Sequence, residues 1–97
     1  MKRSTPLLTL LGVAACASAP PPDAELSAAR AALMQARPLA QEYAPAELAA
    51  AEAKLGAAER AAARADATRA RRLAEEAEVD AKLAQAIAEN ERSQSGR

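Results

Sequence analysis

The sequence predicts a small all-α fold, an alanine-rich antiparallel helical hairpin or three-helix bundle that follows a short N-terminal signal segment. Three observations support this prediction. The chain is rich in residues of high helix propensity, and its larger apolar residues recur at the three- and four-residue spacing of an amphipathic helix. No stretch alternates apolar and polar residues as a half-buried strand does. Because most apolar residues are alanine, the core is expected to let helix axes approach closely.

The N-terminal segment has the pattern of a cleaved signal peptide. Met1-Lys2-Arg3 supply positive charge, and residues 7–15 form an apolar run that is too short to span a bilayer. The run leads into Val13-Ala14-Ala15-Cys16, which holds the only cysteine of the chain. This tetrapeptide resembles the lipobox of bacterial lipoproteins, in which the cysteine receives diacylglycerol, the signal is removed before it, and the new N-terminus is acylated. The resemblance implies a signal peptide over residues 1–15 and lipidation at Cys16.

Two other interpretations of this segment are weaker. An ordinary secretory signal would be cut after Ala17-Ser18-Ala19, which would leave Pro20 in the first mature position, where signal peptidase is poorly tolerant. An uncleaved anchor helix is disfavoured because the apolar run is short and Pro6 precedes it. Lipidation is therefore the preferred prediction.

The remainder of the chain divides into a tether, a helical domain and a tail. Residues 16–22 contain the lipidated cysteine and three prolines that favour an extended tether. Residues 23–92 form the predicted domain, with helices at about 23–42, 45–64 and 66–92, and residues 93–97 form a disordered tail. Asp23 is expected to cap the first helix, and Glu25 suits its first turn. Pro38 predicts a kink in this helix, or an end near Arg37.

Tyr43-Ala44-Pro45 is the clearest turn signal, because proline suits the first position of a helix. Tyr43 and Pro45 are therefore assigned to an interhelical turn. From Ala46 to Arg92 the chain contains no proline, so one long helix is an open alternative. Asp66 is a good N-cap residue and favours a break near Ala65, which would give three helices.

The apolar spacing also predicts which faces are buried. Leu48 and Leu55 are expected to face Leu26 and Leu33 of the first helix. Val79 and Leu83 are expected to widen the inner face of the last helix. That face is expected to consist mainly of Ala70, Leu73, Ala77, Ala84 and Ile87.

Charged residues are interpreted mainly as solvated helix faces. The densest acidic group, Glu75, Glu76, Glu78 and Asp80, has basic neighbours at four-residue spacing, so intrahelical ion pairs are expected. Asp80 lies nearest the apolar stripe and is expected to meet an arginine of another helix. Gly56 is interpreted first as a close-packing position, with a hinge as the open alternative. Five arginines form a basic cluster: Arg60, Arg64, Arg69, Arg71 and Arg72. The cluster would suit phospholipid headgroups or cell-wall anions, but it is interpreted first as a solvated face.

Composition argues against several classes of function. The sequence has no histidine, the commonest general base and metal ligand, and it has no nucleophile pair, phosphate loop or metal-ligand spacing. We therefore expect no enzyme activity, no cofactor, no metal and no small-molecule substrate. Its charges balance, with 13 basic and 13 acidic residues, so no nucleic-acid partner is expected.

The chain resembles the bacterial lipoprotein family called domain of unknown function 4398. The resemblance rests on Tyr43-Ala44-Pro45 and on the residues that follow the two predicted turns: Glu47-Leu48, Ala51, Lys54-Leu55, Ala58, Leu73-Ala74, Ala77, Asp80-Ala81 and Leu83-Ala84. The family typically carries a lipobox and a glycine-aspartate-aromatic turn before its last helix, where this chain has Ala65-Asp66-Ala67. The family has no established catalytic residues, so the resemblance implies a location and a fold rather than an activity.

These observations together predict a non-enzymatic, lipid-anchored envelope lipoprotein that faces the periplasm and acts as a helical interaction module or spacer. Its partners would be membrane lipid, through acylated Cys16, and an envelope protein or a second copy of itself. The second choice is a self-associating coiled coil like the murein lipoprotein, although Arg97 replaces the terminal lysine that links that protein to the wall. Ala17 follows the cysteine where aspartate often signals inner-membrane retention, so the outer membrane is expected.

Overall fold

The computed structural model describes residues 20–96, which form three α-helices and contain no strand. The helices are α1 (Asp23–Tyr43), α2 (Pro45–Ala63) and α3 (Ala67–Ser95). The predicted all-α class is confirmed, and the open choice between one long helix and a break near Ala65 is decided in favour of the break. Each turn reverses the chain direction, so α2 runs antiparallel to its neighbours.

The first turn consists of a single residue, Ala44, between Tyr43 at the end of α1 and Pro45 at the start of α2. The backbone N–H of Ala44 donates to the carbonyl of Ala40 at 2.7 Å, and its own carbonyl accepts from the N–H of Leu48 at 3.0 Å. Ala44 therefore links both helices by hydrogen bonds while its extended backbone, with φ −148°, breaks the helix. Proline at the next position disfavours helical geometry in the residue before it, which explains this conformation.

The second turn is a Schellman motif built around an alanine. Ala65 has a left-handed backbone with φ 62°, which is uncommon for a residue with a Cβ atom. The N–H of Asp66 donates to the carbonyl of Ala61 at 2.9 Å, and the N–H of Ala65 donates to that of Ala62 at 2.9 Å. The carboxylate of Asp66 then accepts from the N–H of Arg69 at 3.2 Å and caps α3, as predicted.

The predicted first helix, at about residues 23–42, agrees with α1, and three finer expectations about the helices differ from the structure. The helix α1 continues through Pro38 instead of ending near Arg37. Proline has no N–H that could donate to the carbonyl of Met34, four residues earlier. Pro38 and Met34 both lie on the exposed face of α1, where water replaces the lost hydrogen bond. At the start of α1, Pro22 rather than Asp23 occupies the N-cap position. Residues 93–95 belong to α3 and not to a disordered tail, because no strong helix breaker occurs before Gly96.

The core of the bundle is almost entirely alanine. Among the described residues, 18 apolar residues are buried, and all but Leu26, Leu33, Leu48 and Leu73 are alanine. The buried alanines of α3 recur at three- and four-residue spacing: Ala70, Ala74, Ala77, Ala81, Ala84 and Ala88. Such a narrow seam allows close approach of helix axes. Accordingly, α3 packs extensively against both α1 and α2, which contact each other less.

The buried residues form two clusters that share Leu55 at their border. The first surrounds Leu33 and Leu48 at the end that contains the α1–α2 turn, where Tyr43 and Ile87 pack against it. The second surrounds Leu26 and Leu73 near the α2–α3 turn. Leu48 lies in the same buried cluster as Leu33, Ala36 and Ala40 of α1, which agrees with its predicted packing against the apolar stripe of the first helix.

We expect Leu48→Ala to lower the free energy of unfolding by about 2 to 5 kcal/mol, because it leaves a cavity in the buried cluster at the α1–α2 end of the bundle. Within residues 20–96 the core contains only four buried leucines, so few other large apolar side chains remain to compensate for the lost packing. The exposed variant Glu75→Ala is the matched control and should change stability by less than about 0.5 kcal/mol. Urea denaturation followed by circular dichroism measures both, and equal small effects would contradict a packed core at Leu48.

We expect Ala65→Gly to raise the free energy of unfolding by about 1 kcal/mol, because glycine adopts a left-handed backbone without the clash of a Cβ atom. The control is Ala53→Gly, in the interior of α2, where the backbone is helical and the residue is exposed. That substitution should destabilise the protein by about 0.5 to 1 kcal/mol. Thermal melts of the two variants should therefore shift in opposite directions, and a destabilised Ala65→Gly protein would contradict the role of this turn.

Candidate functional site

The predicted lipidation site, Val13-Ala14-Ala15-Cys16, lies outside the described residues, which begin at Pro20. The structure does place the chain that leads to it. The guanidinium of Arg71 on α3 donates a hydrogen bond from Nη2 to the backbone carbonyl of Pro20. Pro22, two residues later, is buried. Residues 20–22 thus lie beside the first turns of α3.

Arg71 also pairs with α1, since its Nε atom lies 3.4 Å from Oε2 of Glu25. Both side chains are mostly shielded from solvent, with 23% and 28% of their surface exposed. The spacing in the sequence had suggested an intrahelical pair between Arg71 and Glu75, and this pair is not formed. Arg71 instead holds the start of α1 and the preceding prolines against α3.

Lys54 of α2 is held between two carboxylates of α3. Its Nζ atom lies 3.1 Å from Oδ2 of Asp80 and 3.4 Å from Oε1 of Glu76. The predicted cross-helix partner of Asp80 is therefore a lysine and not an arginine. The hydrogen bond to Asp80 is the main cause of a raised pKa of Lys54, and the charges of Asp80 and Glu76 add to it. From neutral pH up to the usual lysine pKa, the stability that protonated Lys54 contributes is fully present, and it is lost as pH rises through the raised pKa.

Beside Lys54 is an open surface depression of about 340 Å³, lined by Lys54, Arg72, Glu75, Glu76, Val79 and Asp80. Both of its cations already face carboxylates, because Arg72 lies 3.6 Å from Oε2 of Glu76. Glu78 of the same acidic group pairs with Lys82 at 3.0 Å. These contacts agree with the predicted salt-bridged face. Over residues 20–96 no group of three or more potential ligand side chains is placed to hold a metal ion.

The five arginines of the basic cluster divide into two groups. Arg71 and Arg72 are paired with carboxylates. Arg60, Arg64 and Arg69 are exposed, and within the described part of the chain no carboxylate oxygen lies within 4.0 Å of their guanidinium nitrogens. Arg64 is the C-cap residue of α2 and Arg69 lies in the first turn of α3. This end of the bundle also receives the N-terminal segment.

Two apolar residues of α3 lie outside the core, contrary to prediction. Val79 is 64% exposed and Leu83 is 51% exposed. They do not widen the inner face, because the regular alanine stripe of α3 already fills its contacts with both other helices. The three- and four-residue spacing of Ala74, Ala77 and Ala81 is the sequence signal that identifies the buried face and leaves Val79 outside it.

Gly56 is not a close-packing position. A Cβ atom added there would meet only the flexible end of Arg60, at 3.5 Å. The helix α2 continues through Gly56, so the residue does not interrupt it either. The packing of the bundle does not require glycine at this position.

Comparison with known proteins identifies the family without assigning an activity. Within residues 20–96 no helix has the length and apolar character needed to cross a membrane. No curated protein and no solved structure matches the chain. The family model described as domain of unknown function (DUF4398) matches residues 24–97, from the first turn of α1 onward. The chain therefore belongs to the DUF4398 family, as the tyrosine-alanine-proline turn and the regular alanines predicted.

Proposed function

We propose that this protein is a non-enzymatic, lipid-anchored envelope lipoprotein whose helical bundle faces the periplasm and serves as an interaction module or spacer. The observation that carries the proposal is the lipobox-like Val13-Ala14-Ala15-Cys16, which ends only a few residues before the start of α1. Acylation at Cys16 would join the bundle to the membrane through a short proline-containing tether. Ala17 after the cysteine supports the outer membrane.

The strength of such an anchor follows from its number of acyl chains. Each buried methylene contributes about 0.8 kcal/mol, and a single chain gives only marginal, reversible binding. A cysteine that carries diacylglycerol and an additional acyl group at its N-terminus has three chains. The bundle would therefore remain on one membrane rather than exchange with solution.

The charge pattern of the bundle supports interaction rather than catalysis. Three of the four carboxylates of the acidic group, Glu76, Glu78 and Asp80, are engaged by Lys54, Arg72 and Lys82, which lowers their availability for acid-base chemistry or metal binding. Val79 and Leu83 stand next to this group as neighbours on one exposed face of α3. Apolar side chains with flanking charges suit an amphipathic helix of another envelope protein.

The second candidate is a self-associating structural lipoprotein. It is favoured by the heptad-like spacing of the buried residues, which is the pattern of a coiled coil. However, these residues are already buried within one chain, with most of them fully inaccessible. Self-association through the same seams would require the bundle to open. A monomeric bundle with a different partner is therefore the preferred form.

The anchoring proposal predicts that the wild-type protein incorporates radiolabelled palmitate and sediments with outer-membrane markers in a density gradient. Cys16→Ala should carry no label and should retain its signal peptide, because Cys16 is the only thiol. Label on the Cys16→Ala protein would refute lipidation at this site, and co-sedimentation of the wild type with inner-membrane markers would refute the outer-membrane assignment.

The choice between adaptor and coiled coil predicts different responses to concentration. We expect residues 17–97 to be strongly helical by circular dichroism, to have a monomer mass, and to melt at a temperature that does not depend on protein concentration. A self-associating form must melt higher at higher concentration, because association stabilises the folded state by mass action. Analytical ultracentrifugation with melts over a wide concentration range decides between the two.

A further inference from the structure

The bundle has a basal end, which we define as residues 20–25 together with residues 60–71. It contains the start of α1, the α2–α3 turn and the contact of Arg71 with the Pro20 carbonyl. Arg60, Arg64 and Arg69 are exposed here. The chain toward Cys16 leaves from the same end, so unpaired positive charge and the predicted lipid anchor share one side of the molecule.

We propose that the basal end docks on the anionic phospholipid headgroups of the membrane in which acylated Cys16 is anchored. This inference rests on the proposed lipidation and adds to it a second contact, electrostatic and distinct from the acyl chains. The bundle then stands on the membrane in one orientation, with the α1–α2 turn directed away from the lipid.

The reach of the tether places the arginines within range of the headgroups. Three residues lie between Cys16 and Pro20, and even a fully extended chain spans at most about 14 Å over the four Cα–Cα steps between them. Arg71 fixes the other end of this segment by holding the carbonyl of Pro20 and the carboxylate of Glu25. Screening at physiological salt acts over about 8 Å, a distance that exposed arginine side chains at this end can bridge.

The acidic residues of the basal end are largely engaged. Glu25 is paired with Arg71 at 3.4 Å. The carboxylate of Asp66 accepts the backbone N–H of Arg69 at 3.2 Å and caps α3. Asp23 lies in the first turn of α1, where the positive end of the helix offsets its charge. Arg60, Arg64 and Arg69 therefore provide the charge that remains available to phosphate.

The opposite end of the bundle has the opposite balance. Exposed or half-buried acids surround the α1–α2 turn and the projecting end of α3: Glu42, Glu47, Glu89 and Glu91. In the described part of the chain none of these four forms an ion pair within 4.0 Å, and Arg92 is the basic residue of the last turn. An anionic surface attracts the basal end and repels this one, so the charge distribution and the tether favour the same orientation.

The test uses the full acylated protein in vesicles and two tryptophan reporters. The natural chain contains no tryptophan, so Ala63→Trp reports the basal end and Asn90→Trp reports the opposite end. Both positions are exposed. The vesicles contain phosphatidylcholine alone or mixed with phosphatidylglycerol, together with a lipid that carries a spin label on its headgroup and quenches nearby tryptophan. Mass spectrometry of each preparation establishes whether Cys16 is acylated.

We expect phosphatidylglycerol to increase quenching of the Ala63→Trp reporter, high salt to reverse the increase, and the Asn90→Trp reporter to respond to neither. Added to the Ala63→Trp protein, Arg64→Gln and Arg69→Gln should each lower the ratio of docked to undocked protein about fivefold. Arg92→Gln is the matched control, because it removes an exposed arginine at the far end, and it should have no effect. The salt titration requires no charge substitution and tests the electrostatic contact independently.

Two results would overturn the inference in distinguishable ways. Acylated protein whose Ala63→Trp reporter is quenched equally in neutral and anionic vesicles would refute the headgroup contact and leave lipid anchoring intact. It would also direct the search for the ligand of the arginines to a protein or the cell wall. A protein recovered without acyl groups on Cys16 would refute the proposed function, and the docking inference with it.

Discussion

Alanine occupies nearly every position at which α3 meets its two neighbours, and the rest of the bundle depends on the close approach that this residue allows. Ala74, Ala77, Ala81 and their equivalents are fully buried although each removes little apolar area from water. Close helix axes compensate by bringing backbone and Cβ atoms of neighbouring helices into contact. Among the buried residues of the part of the chain that the structure describes, leucine occupies only four positions. A larger residue in the α3 seam would separate the helices and weaken both interfaces together.

A seam of repeated small residues does not by itself specify which residues oppose each other. The two short turns provide part of this information, since one residue joins α1 to α2 and a Schellman motif precedes α3. Ion pairs between helices provide the rest: Arg30–Glu59, Arg37–Glu52, Lys54–Asp80 and Arg71–Glu25. Exposed pairs of this kind contribute about 0 to 1 kcal/mol each. Their larger effect is to penalise shifted registers, in which these charges would lose their partners or face like charges.

The outer surface also contains few large apolar side chains. Over residues 20–96 the large apolar side chains that are mostly exposed are Met34 and the neighbouring pair of Val79 and Leu83, and the other exposed apolar residues are mainly alanines. Charge is unevenly distributed along the bundle axis, with free arginines at the end from which the chain runs toward Cys16. If Cys16 is acylated as proposed, such a bundle would present one face of α3 close to the membrane.

The sequence by itself determined the all-α class, the family, the turn at Tyr43-Ala44-Pro45 and the cap at Asp66, because these depend on local backbone chemistry and regular spacing. Only the tertiary structure decided that α1 continues through Pro38, since packing on the opposite face outweighs one lost hydrogen bond. It also decided the left-handed backbone of Ala65, the partners of Arg71 and Asp80, and the exposure of Val79 and Leu83. These features depend on which helix faces lie opposite each other, and residues distant in the chain set that arrangement.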